Sequence, residues 1–251
     1  MISVVVIGSG NVAYHICNQL NKCEGVNLLQ NYNRKGVEVI AGLDTTSIPD
    51  NIINADVYII SISDNALSSI YNQLPNLKGL VVHTSGGTSM EVLSEYDNYG
   101  VFYPLQSFKK EQEINFSEVP VLIEAKCEKS LLVLKNLARL ISNKVYLIDS
   151  DQRRVLHVAA VFANNFTNFM LTQAYDLCEE SRIDHQILKP IINSTFSKII
   201  TEQPKSSQTG PAIRNDTMTI KKHLEILSGL QQKDLYSYLT KSIQNYYGKE
   251  F

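Results

Sequence analysis

The residues near the amino end carry the strongest chemical signal in this sequence. Gly8-Ser9-Gly10-Asn11-Val12-Ala13 follows a β-branched run directly and precedes an amphipathic helical pattern. Gly8 suits a tight turn, Gly10 has no Cβ to block a pyrophosphate, and Ala13 lets the helix lie close to the strand. The free N–H groups at the start of that helix can bind phosphate oxygens. The spacing therefore predicts a dinucleotide site whose phosphate-binding residues are Gly8, Ser9, Gly10, Asn11 and Val12.

The end of the second predicted strand bears on the choice of cofactor. In NAD-binding folds an Asp or Glu at this point binds the adenine ribose hydroxyls. Here the sequence reads Asn33-Arg34-Lys35, with two cations and no carboxylate. A guanidinium matches a 2′-phosphate in charge and in geometry. We therefore predict NADP(H) rather than NAD(H), held by Asn33, Arg34 and Lys35; a solvated turn is the alternative.

Hydroxyl side chains follow two further predicted strands. Ser61 and Ser63 come after one strand, and Ser85 comes after the next. Because ligands bind at the carboxyl edge of open α/β sheets, we expect these serines to line the cofactor site. The alternative for Ser61 and Ser63 is helix capping. His83, at the end of its strand, is either a proton carrier or a structural residue.

Two segments carry polar groups suited to a substrate. Pro104, Gln106 and Ser107 end another strand, where Gln106 and Ser107 can orient a polar molecule, although a plain turn has the same composition. Further along, Arg214 can hold a carboxylate or phosphate with two hydrogen bonds. Asp216 either belongs to the same site or caps the helix that follows it.

His157 is the predicted acid–base group. An imidazole can donate a proton to a carbonyl or imine as hydride arrives. Asn164 and Asn165 follow it by seven and eight residues, which brings one of them onto the same face of an α-helix. We therefore predict His157, with Asn164 or Asn165, as the catalytic set; a structural histidine on an apolar helix is the alternative.

These residues need a particular scaffold to position them. Short apolar runs alternate with helical patterns over residues 1–150, as in a doubly wound, mostly parallel Rossmann sheet, whereas residues 151–251 read as a smaller all-helical domain. The predicted strands are Ser3–Ile7, Val26–Tyr32, Val57–Ser61, Leu80–Thr84, Val101–Tyr103, Val119–Ile123 and Val145–Ile148. The predicted helices after the first are Glu128–Ile141, Asp151 to about Arg182, Asp184–Ile200, Thr217–Leu230 and Lys233–Tyr246.

Composition narrows the class of partner. The 251 residues carry a formal charge of −2 and 44% hydrophobic residues, without a basic run, so we expect no nucleic acid or membrane partner. The four cysteines show no metal-site spacing, which predicts no metal and buried free thiols in a cytoplasmic protein. A helical domain of this size buries its apolar residues poorly alone, which predicts a homodimer through these helices.

Several motifs together resemble a known family. They are Ile7 to Ala13, Pro104 to Phe108, His157 to Asn165, and Thr209-Gly210-Pro211 with Arg214, Asp216 and His223. In this order they are similar to bacterial Rossmann-like proteins with a C-terminal helical domain of unknown function, which are named as NADP oxidoreductases. Their wider relatives include phosphogluconate dehydrogenase and pyrroline-carboxylate reductase.

The resemblance implies a function as well as a fold. It implies an NADP(H)-dependent oxidoreductase that transfers hydride to or from a small polar substrate bound between the two domains. Two alternatives stay open at this point. One is a non-catalytic NADP-binding sensor or assembly module, and the other is a reductase that uses a second redox cofactor such as a deazaflavin.

Overall fold

The computed structural model describes residues 1–248, and its central feature is one eight-stranded sheet. The strands are β1 (Ile2–Ile7), β2 (Val26–Tyr32), β3 (Thr45–Thr46), β4 (Val57–Ile60), β5 (Leu80–His83), β6 (Tyr99–Pro104), β7 (Val121–Ala125) and β8 (Val145–Leu147). They lie in the order β3-β2-β1-β4-β5-β6-β7-β8. All neighbouring strands are parallel except β6 and β7. The predicted doubly wound, mostly parallel Rossmann sheet is confirmed.

Both faces of the sheet are covered. Successive side chains of a strand point to opposite faces, and β1 illustrates this. Val4 and Val6 are fully buried in the core that contains residues of α1 (Asn11–Asn21) and α3 (Glu128–Ile141). Val5 and Ile7 are buried in a second core on the other face, with residues of the short helix α2 (Asp64–Leu67). This double burial explains why the strands are apolar throughout.

The sheet differs from the sequence prediction in strands β3 and β6. The bounds of α3 agree with the predicted Glu128–Ile141, but the two-residue strand β3 has no predicted counterpart. Thr45 and Thr46 are polar and lack an apolar run, and they join the sheet only because they pair with the end of β2. Strand β6 begins two residues earlier than predicted, and its antiparallel pairing with β7 reverses the chain at that point.

After β8 the described chain is helical. The predicted long helix is present as α4 (Ser150–Ala160), a π-helical turn (Val161–Phe166) and α5 (Thr167–Glu180) in succession. Three further helices follow: α6 (Lys189–Thr201), α7 (Thr217–Ile226) and α8 (Gln232–Tyr247). The prediction of a helical C-terminal region is therefore confirmed. Among residues 1–248, no helix combines the length and the apolar character needed to cross a bilayer.

The chain divides into two compact units, and the boundary along the chain falls within the long helical stretch. The first comprises Met1–Asn165 and the second begins at Phe166. The sequence places the domain boundary at residue 150, at the start of α4. The structure places α4 with the sheet, because the buried Arg153 of this helix is bonded to Glu124 of β7.

The cysteines are free, as the sequence predicts, but burial is limited to one of them. Cys17 is buried in α1, and burial raises the pKa of its thiol to about 12. Cys127 is exposed where it precedes α3, and Cys23 and Cys178 are half-buried. The expectation of buried thiols is therefore wrong for three of the four positions.

Candidate functional site

A cleft of about 560 Å³ lies at the carboxyl ends of β1, β2, β4, β5 and β6. This volume is in the range of small-molecule and cofactor sites. All of the predicted cofactor residues line it, and the predicted His157 and Gln106 do so as well. The cofactor residues are Gly8, Ser9, Gly10, Asn11, Val12, Asn33, Arg34, Lys35, Ser61, Ser63 and Ser85.

Gly8 makes the turn from β1 into the cleft. Its φ angle is +127°, and a Cβ at this position would lie 2.0 Å from the carbonyl oxygen of Ser61. The N–H of Gly8 donates to the carbonyl of Tyr32 over 2.8 Å, and the N–H of Ser61 donates to the carbonyl of Ile7 over 2.7 Å. The backbones of three strands therefore converge here, and only glycine satisfies both the dihedral angle and the close approach.

The first turn of α1 is open toward the cleft. Gly10 precedes the helix, and no atom of the described chain lies within 4 Å of the position where its Cβ would be. No side chain of residues 1–248 caps α1, and its first turn contains no acidic residue. The positive end of the helix is therefore not neutralised by the protein. These features fit a bound pyrophosphate, which needs free N–H groups and room for its oxygens.

Two buried asparagines shape the wall beside the glycine turn. The Asn31 amide donates to the carbonyls of Val6 and Gly8, each over 2.9 Å. The Asn33 amide donates to Asn31 Oδ1 and to the Val37 carbonyl, while its own oxygen accepts the N–H of Val37. All polar atoms of the Asn33 side chain therefore hold the turn after β2, which presents the neighbouring exposed cations.

Those cations are Arg34 and Lys35, and both are exposed on the cleft wall. Neither makes an ion pair within the described part of the chain. No carboxylate follows β2 at the position where NAD-binding folds use one. The electrostatics of this end of the cleft therefore favour an anionic group.

The serines of the cleft have different surroundings. Ser61 is buried, and the Thr84 hydroxyl lies 3.3 Å from its Oγ. Ser85 Oγ accepts the N–H groups of Gly87 and Thr88, so it holds the loop after β5. Ser63 precedes α2, but its side chain makes no capping hydrogen bond in the described structure. Ser63 is exposed, and its hydroxyl is thus available to a ligand.

His83 is buried at the end of β5 and does not line the cleft. Its Nδ1 accepts the N–H of Ser85 over 3.1 Å, so its Nε2 carries the proton and donates to the carbonyl of Ser89 over 3.2 Å. Burial and the nearby Arg153 guanidinium lower the pKa of His83 to about 4. The ring is therefore neutral at physiological pH and orders the 84–89 loop.

This burial predicts a loss of stability in mild acid. In the unfolded chain the pKa of His83 has its ordinary value near 6.5, so below this pH the unfolded state binds a proton that the folded state excludes. The free energy of unfolding should fall as the pH drops from 6.5 toward 4, by about 3 kcal/mol in total. Urea titrations at several pH values measure this slope. A His83→Gln variant should lack this part of the slope, and an unchanged slope would contradict the assignment.

His157 lies on the cleft wall and is paired with a tyrosine that the sequence analysis does not single out. Tyr103 Oη and His157 Nδ1 are 3.0 Å apart, and the two rings meet edge to face. Gly86 makes this contact possible, since a Cβ there would lie 2.5 Å from Nδ1 and 2.8 Å from Tyr103 Cζ. Burial and the Asp64 carboxylate raise the pKa of Tyr103, while Arg153 lowers it.

A buried ion pair fixes the start of α4, one turn before His157. The fully buried Arg153 donates to Glu124 Oε2 over 2.6 Å and to the carbonyl of Thr88 over 2.5 Å. Glu124 also accepts from the N–H and the hydroxyl of Ser150. The helix that carries His157 is therefore bonded both to β7 and to the loop that contains Gly86.

The other predicted residues of the first unit do not line the cleft. Asn164 and Asn165 are exposed in the π-helical turn, whose extra residue displaces the seven-residue spacing that would align Asn164 with His157 on a regular α-helix. Pro104 is buried at the end of β6, and Ser107 is exposed. Arg214 and Asp216 belong to the second unit, in which Arg214 is exposed and Asp216 caps α7 by accepting from Thr219.

The comparisons with known proteins identify the family. The structure matches that of a protein from Bacteroides fragilis described as a "putative NADP oxidoreductase", with 35% identity and a TM-score of 0.85. The match covers 97% of this chain and 98% of that protein. The chain belongs to the family of that protein. This confirms the resemblance drawn from the sequence motifs.

Other comparisons concern the C-terminal region and the fold. A family model for a domain of unknown function, DUF2520, matches residues 119–243. A protein from Thermotoga maritima shares the fold at 19% identity with a TM-score of 0.71, covering 98% of this chain and 99% of its own. An imine reductase from Myxococcus stipitatus, solved with NADP+, shares it at 13% identity with a TM-score of 0.69, covering 97% and 93%. The search of curated protein sequences found no match to this chain.

Proposed function

We propose that this protein is an NADP(H)-dependent oxidoreductase that reduces or forms a C=O or C=N bond in a small polar substrate. One observation carries the proposal: a single cleft joins an uncapped, glycine-bounded helix N-terminus to a tyrosine–histidine pair. The first feature suits a pyrophosphate and the second suits proton transfer. When bound, NADPH supplies the hydride. The names of the Bacteroides and Myxococcus proteins support the same class of reaction.

The preference for NADP(H) rests on Arg34 and Lys35. Both cations are exposed beside the cleft, where they can contact a 2′-phosphate without first breaking an ion pair. The buried Asn31 and Asn33 hold the turn that presents them. Asn33 thus contributes by positioning this turn, and Arg34 has the planar donor set that a phosphate requires.

Replacing Arg34 with alanine should weaken the binding of NADPH far more than the binding of NADH. Loss of a charge-assisted hydrogen bond costs about 1.5–3 kcal/mol, so the Kd for NADPH should rise by roughly 10- to 100-fold. The Kd for NADH should change by less than about threefold, because NADH has no 2′-phosphate. Isothermal calorimetry on both cofactors measures this, with Lys22→Ala as a surface-charge control outside the cleft. Equal losses for the two cofactors would refute the assignment of Arg34.

The chemical class of the substrate follows from the groups at the far end of the cleft. His157 and Tyr103 offer a proton, and the polar residue Gln106 also lines the cleft. A pyrroline-carboxylate reductase from Streptococcus pyogenes shares the fold, with a TM-score of 0.62. Suitable probes are therefore 1-pyrroline-5-carboxylate, a cyclic imine without the carboxylate, and simple 2-oxo acids. The loss of NADPH absorbance at 340 nm measures turnover. If the protein binds NADPH but turns over none of these probes, the sensor alternative is favoured.

We also propose that the protein is a homodimer through its C-terminal helices. Helices α5, α6 and α7 contain no fully buried residue. Large apolar side chains on this unit are widely exposed, including Ile191 at 65%, Ile200 at 84% and Ile226 at 73%. Monomeric soluble proteins rarely expose large contiguous apolar patches, and these side chains could form such a patch on the second unit. A second copy with the same surface can cover it, and two-fold dimers are the commonest assembly of this kind.

A charge introduced on α6 tests the dimer. Ile199 lies near the middle of the apolar face of α6, whereas the exposed Ser194 lies on the other side of the helix. Sedimentation at micromolar protein should give a mass near twice the 28.2 kDa of one chain. We expect Ile199→Glu to raise the dissociation constant at least about tenfold, since a buried unpaired charge is costly, and Ser194→Glu to change it little. A wild-type chain that sediments as a monomer would exclude the dimer.

A further inference from the structure

We propose that Tyr103 is the catalytic acid of this site and that His157 supplies it with protons, so that the two residues act as one relay. The proposal rests on the proposed oxidoreductase function and names the residue whose proton reaches the substrate. In the sequence Tyr103 ends an apolar strand, and nothing in that pattern points to a catalytic role. In the structure Tyr103 lines the cleft, and its hydroxyl lies 3.0 Å from Nδ1 of His157, which also lines it.

The geometry gives each residue a distinct position in the relay. Tyr103 Oη lies 3.0 Å from His157 Nδ1, within the range of a hydrogen bond. His157 is half-buried, and its other ring nitrogen, Nε2, makes no hydrogen bond to any residue of the described chain. The imidazole can therefore exchange protons with solvent at Nε2 and with the phenol at Nδ1.

The charges around Tyr103 favour an acid that keeps its proton at neutral pH. Burial and the Asp64 carboxylate on α2 raise its pKa, and these outweigh Arg153 on α4, which lowers it. His83 on β5 is neutral near pH 7, because burial lowers its pKa to about 4. A neutral phenol next to an imidazole is thus the resting state, and it holds the proton that a reduction consumes.

The proposed step balances in atoms and charge. The carbon of the C=O or C=N group takes the hydride that the cofactor supplies, while the oxygen or nitrogen takes the proton of Tyr103 Oη. One C–H and one O–H or N–H bond would form on the substrate, while its π bond, the Tyr103 O–H bond and one C–H bond of bound NADPH, the two-electron reductant, would break. The Tyr103 oxygen then takes a proton from Nδ1–H of His157, and the imidazole regains one from solvent at Nε2. In the oxidative direction the same protons move in reverse.

Gly86 provides a means of separating the two rings without altering either. A Cβ at Gly86 would lie 2.5 Å from His157 Nδ1, whereas one at Gly87 would meet Asp64 Oδ2 at an ordinary 3.5 Å. Neither glycine has a positive φ angle. Gly86→Ala should therefore displace the pair, and Gly87→Ala is its matched control.

The first experiment measures the pair in the protein without substrate. The ring ¹⁵N shift of His157 Nδ1 should change on Tyr103→Phe and on Gly86→Ala, but not on Gly87→Ala. Burial or a nearby carboxylate raises the pKa of Tyr58, Tyr96, Tyr99 and Tyr103, and Tyr103→Phe should remove one tyrosine from the group whose tyrosinate absorbance near 295 nm appears above the ordinary range. A His157 Nδ1 shift that is indifferent to Tyr103→Phe would show that the pair does not form, and would overturn the proposal.

The second experiment is a double-mutant cycle on turnover of NADPH with the imine and 2-oxo acid probes. Tyr103→Phe and His157→Ala should each lower kcat by about 10²- to 10⁴-fold, as expected for a lost acid. The double variant should be no more than about threefold slower than the slower single variant, because members of one relay are not additive. Gly86→Ala should lower kcat by about 10²-fold through misplacement of the pair, and Gly87→Ala by less than about threefold.

The outcomes separate this proposal from the proposed function. Unchanged turnover in Tyr103→Phe, or single effects that multiply in the double variant, would overturn the relay while leaving the oxidoreductase intact. A wild-type protein that fails to bind NADPH in calorimetry would instead refute the proposed function, and the relay with it. The NADPH Kd of Tyr103→Phe should stay within about twofold of wild type, since the phenol acts on the substrate rather than on the dinucleotide phosphates.

Discussion

Gly8→Ala is expected to destabilise the first unit by about 3 kcal/mol or more and to remove measurable NADPH binding. The alanine Cβ would lie 2.0 Å from the carbonyl oxygen of Ser61 and 2.8 Å from its carbonyl carbon. Both atoms belong to backbone that is hydrogen-bonded to the end of β1, so neither can move aside without breaking strand pairing. The φ angle of +127° adds strain of its own. Urea unfolding and calorimetry with NADPH measure the two effects.

Two other glycines divide this effect into its parts. Gly42 also has a positive φ angle, +77°, but a Cβ there would meet no atom within 4 Å, so Gly42→Ala reports backbone strain alone. Gly10 has neither strain nor close neighbours. Gly10→Ala should therefore leave the free energy of unfolding within about 1 kcal/mol of wild type. It should weaken the binding of NADPH, because the added Cβ would occupy space that the pyrophosphate needs. Equal stability of the Gly8→Ala and Gly42→Ala variants would contradict the close-approach argument.

The parts of the fold that local patterns specify could be predicted from the sequence. The types and spacing of its residues predict the glycine turn. The amphipathic periodicity of the sequence predicts the bounds of α3, Glu128–Ile141. Strand β3 could not be predicted in the same way. Thr45 and Thr46 have no apolar pattern, and their conformation depends on hydrogen bonds to β2 that form only in the assembled sheet.

In the candidate site, too, local patterns predict one part, and contacts between distant residues determine the other. The residues predicted at the cofactor end share one cleft because each follows a parallel strand, and parallel strands end at one edge. The acid–base end depends on contacts distant in sequence. Tyr103 and His157 are 54 positions apart, and their meeting depends on Gly86, which lies between them in space but not in sequence. The π-helical turn likewise changes the spacing from which Asn164 or Asn165 was predicted to share a face with His157, and residue type does not reveal this turn.

Glu124→Gln should destabilise the protein by about 3–5 kcal/mol, because it leaves the buried Arg153 charge without its partner. The Arg153 side chain is fully buried, and that of Glu124 is 13% exposed. Glutamine keeps the shape and can still accept a hydrogen bond, so the change isolates the charge. Because Glu124 also binds Ser150 at the start of α4, the variant should loosen the helix that carries His157.

A rescue experiment distinguishes loss of charge pairing from loss of packing. Replacing both partners, in the double variant Glu124→Leu with Arg153→Met, removes the buried charges and keeps most of the volume. Such replacements of buried ion pairs are often neutral or stabilising. We expect the double variant to recover at least half of the stability lost in Glu124→Gln, as measured by urea unfolding. The hydrogen bonds that Arg153 donates to Thr88 and that Ser150 donates to Glu124 are absent in the double variant. Turnover should therefore stay below wild type even where stability returns, since α4 is no longer tied to the loop that contains Gly86. Full recovery of both would show that this ion pair has no part in positioning His157.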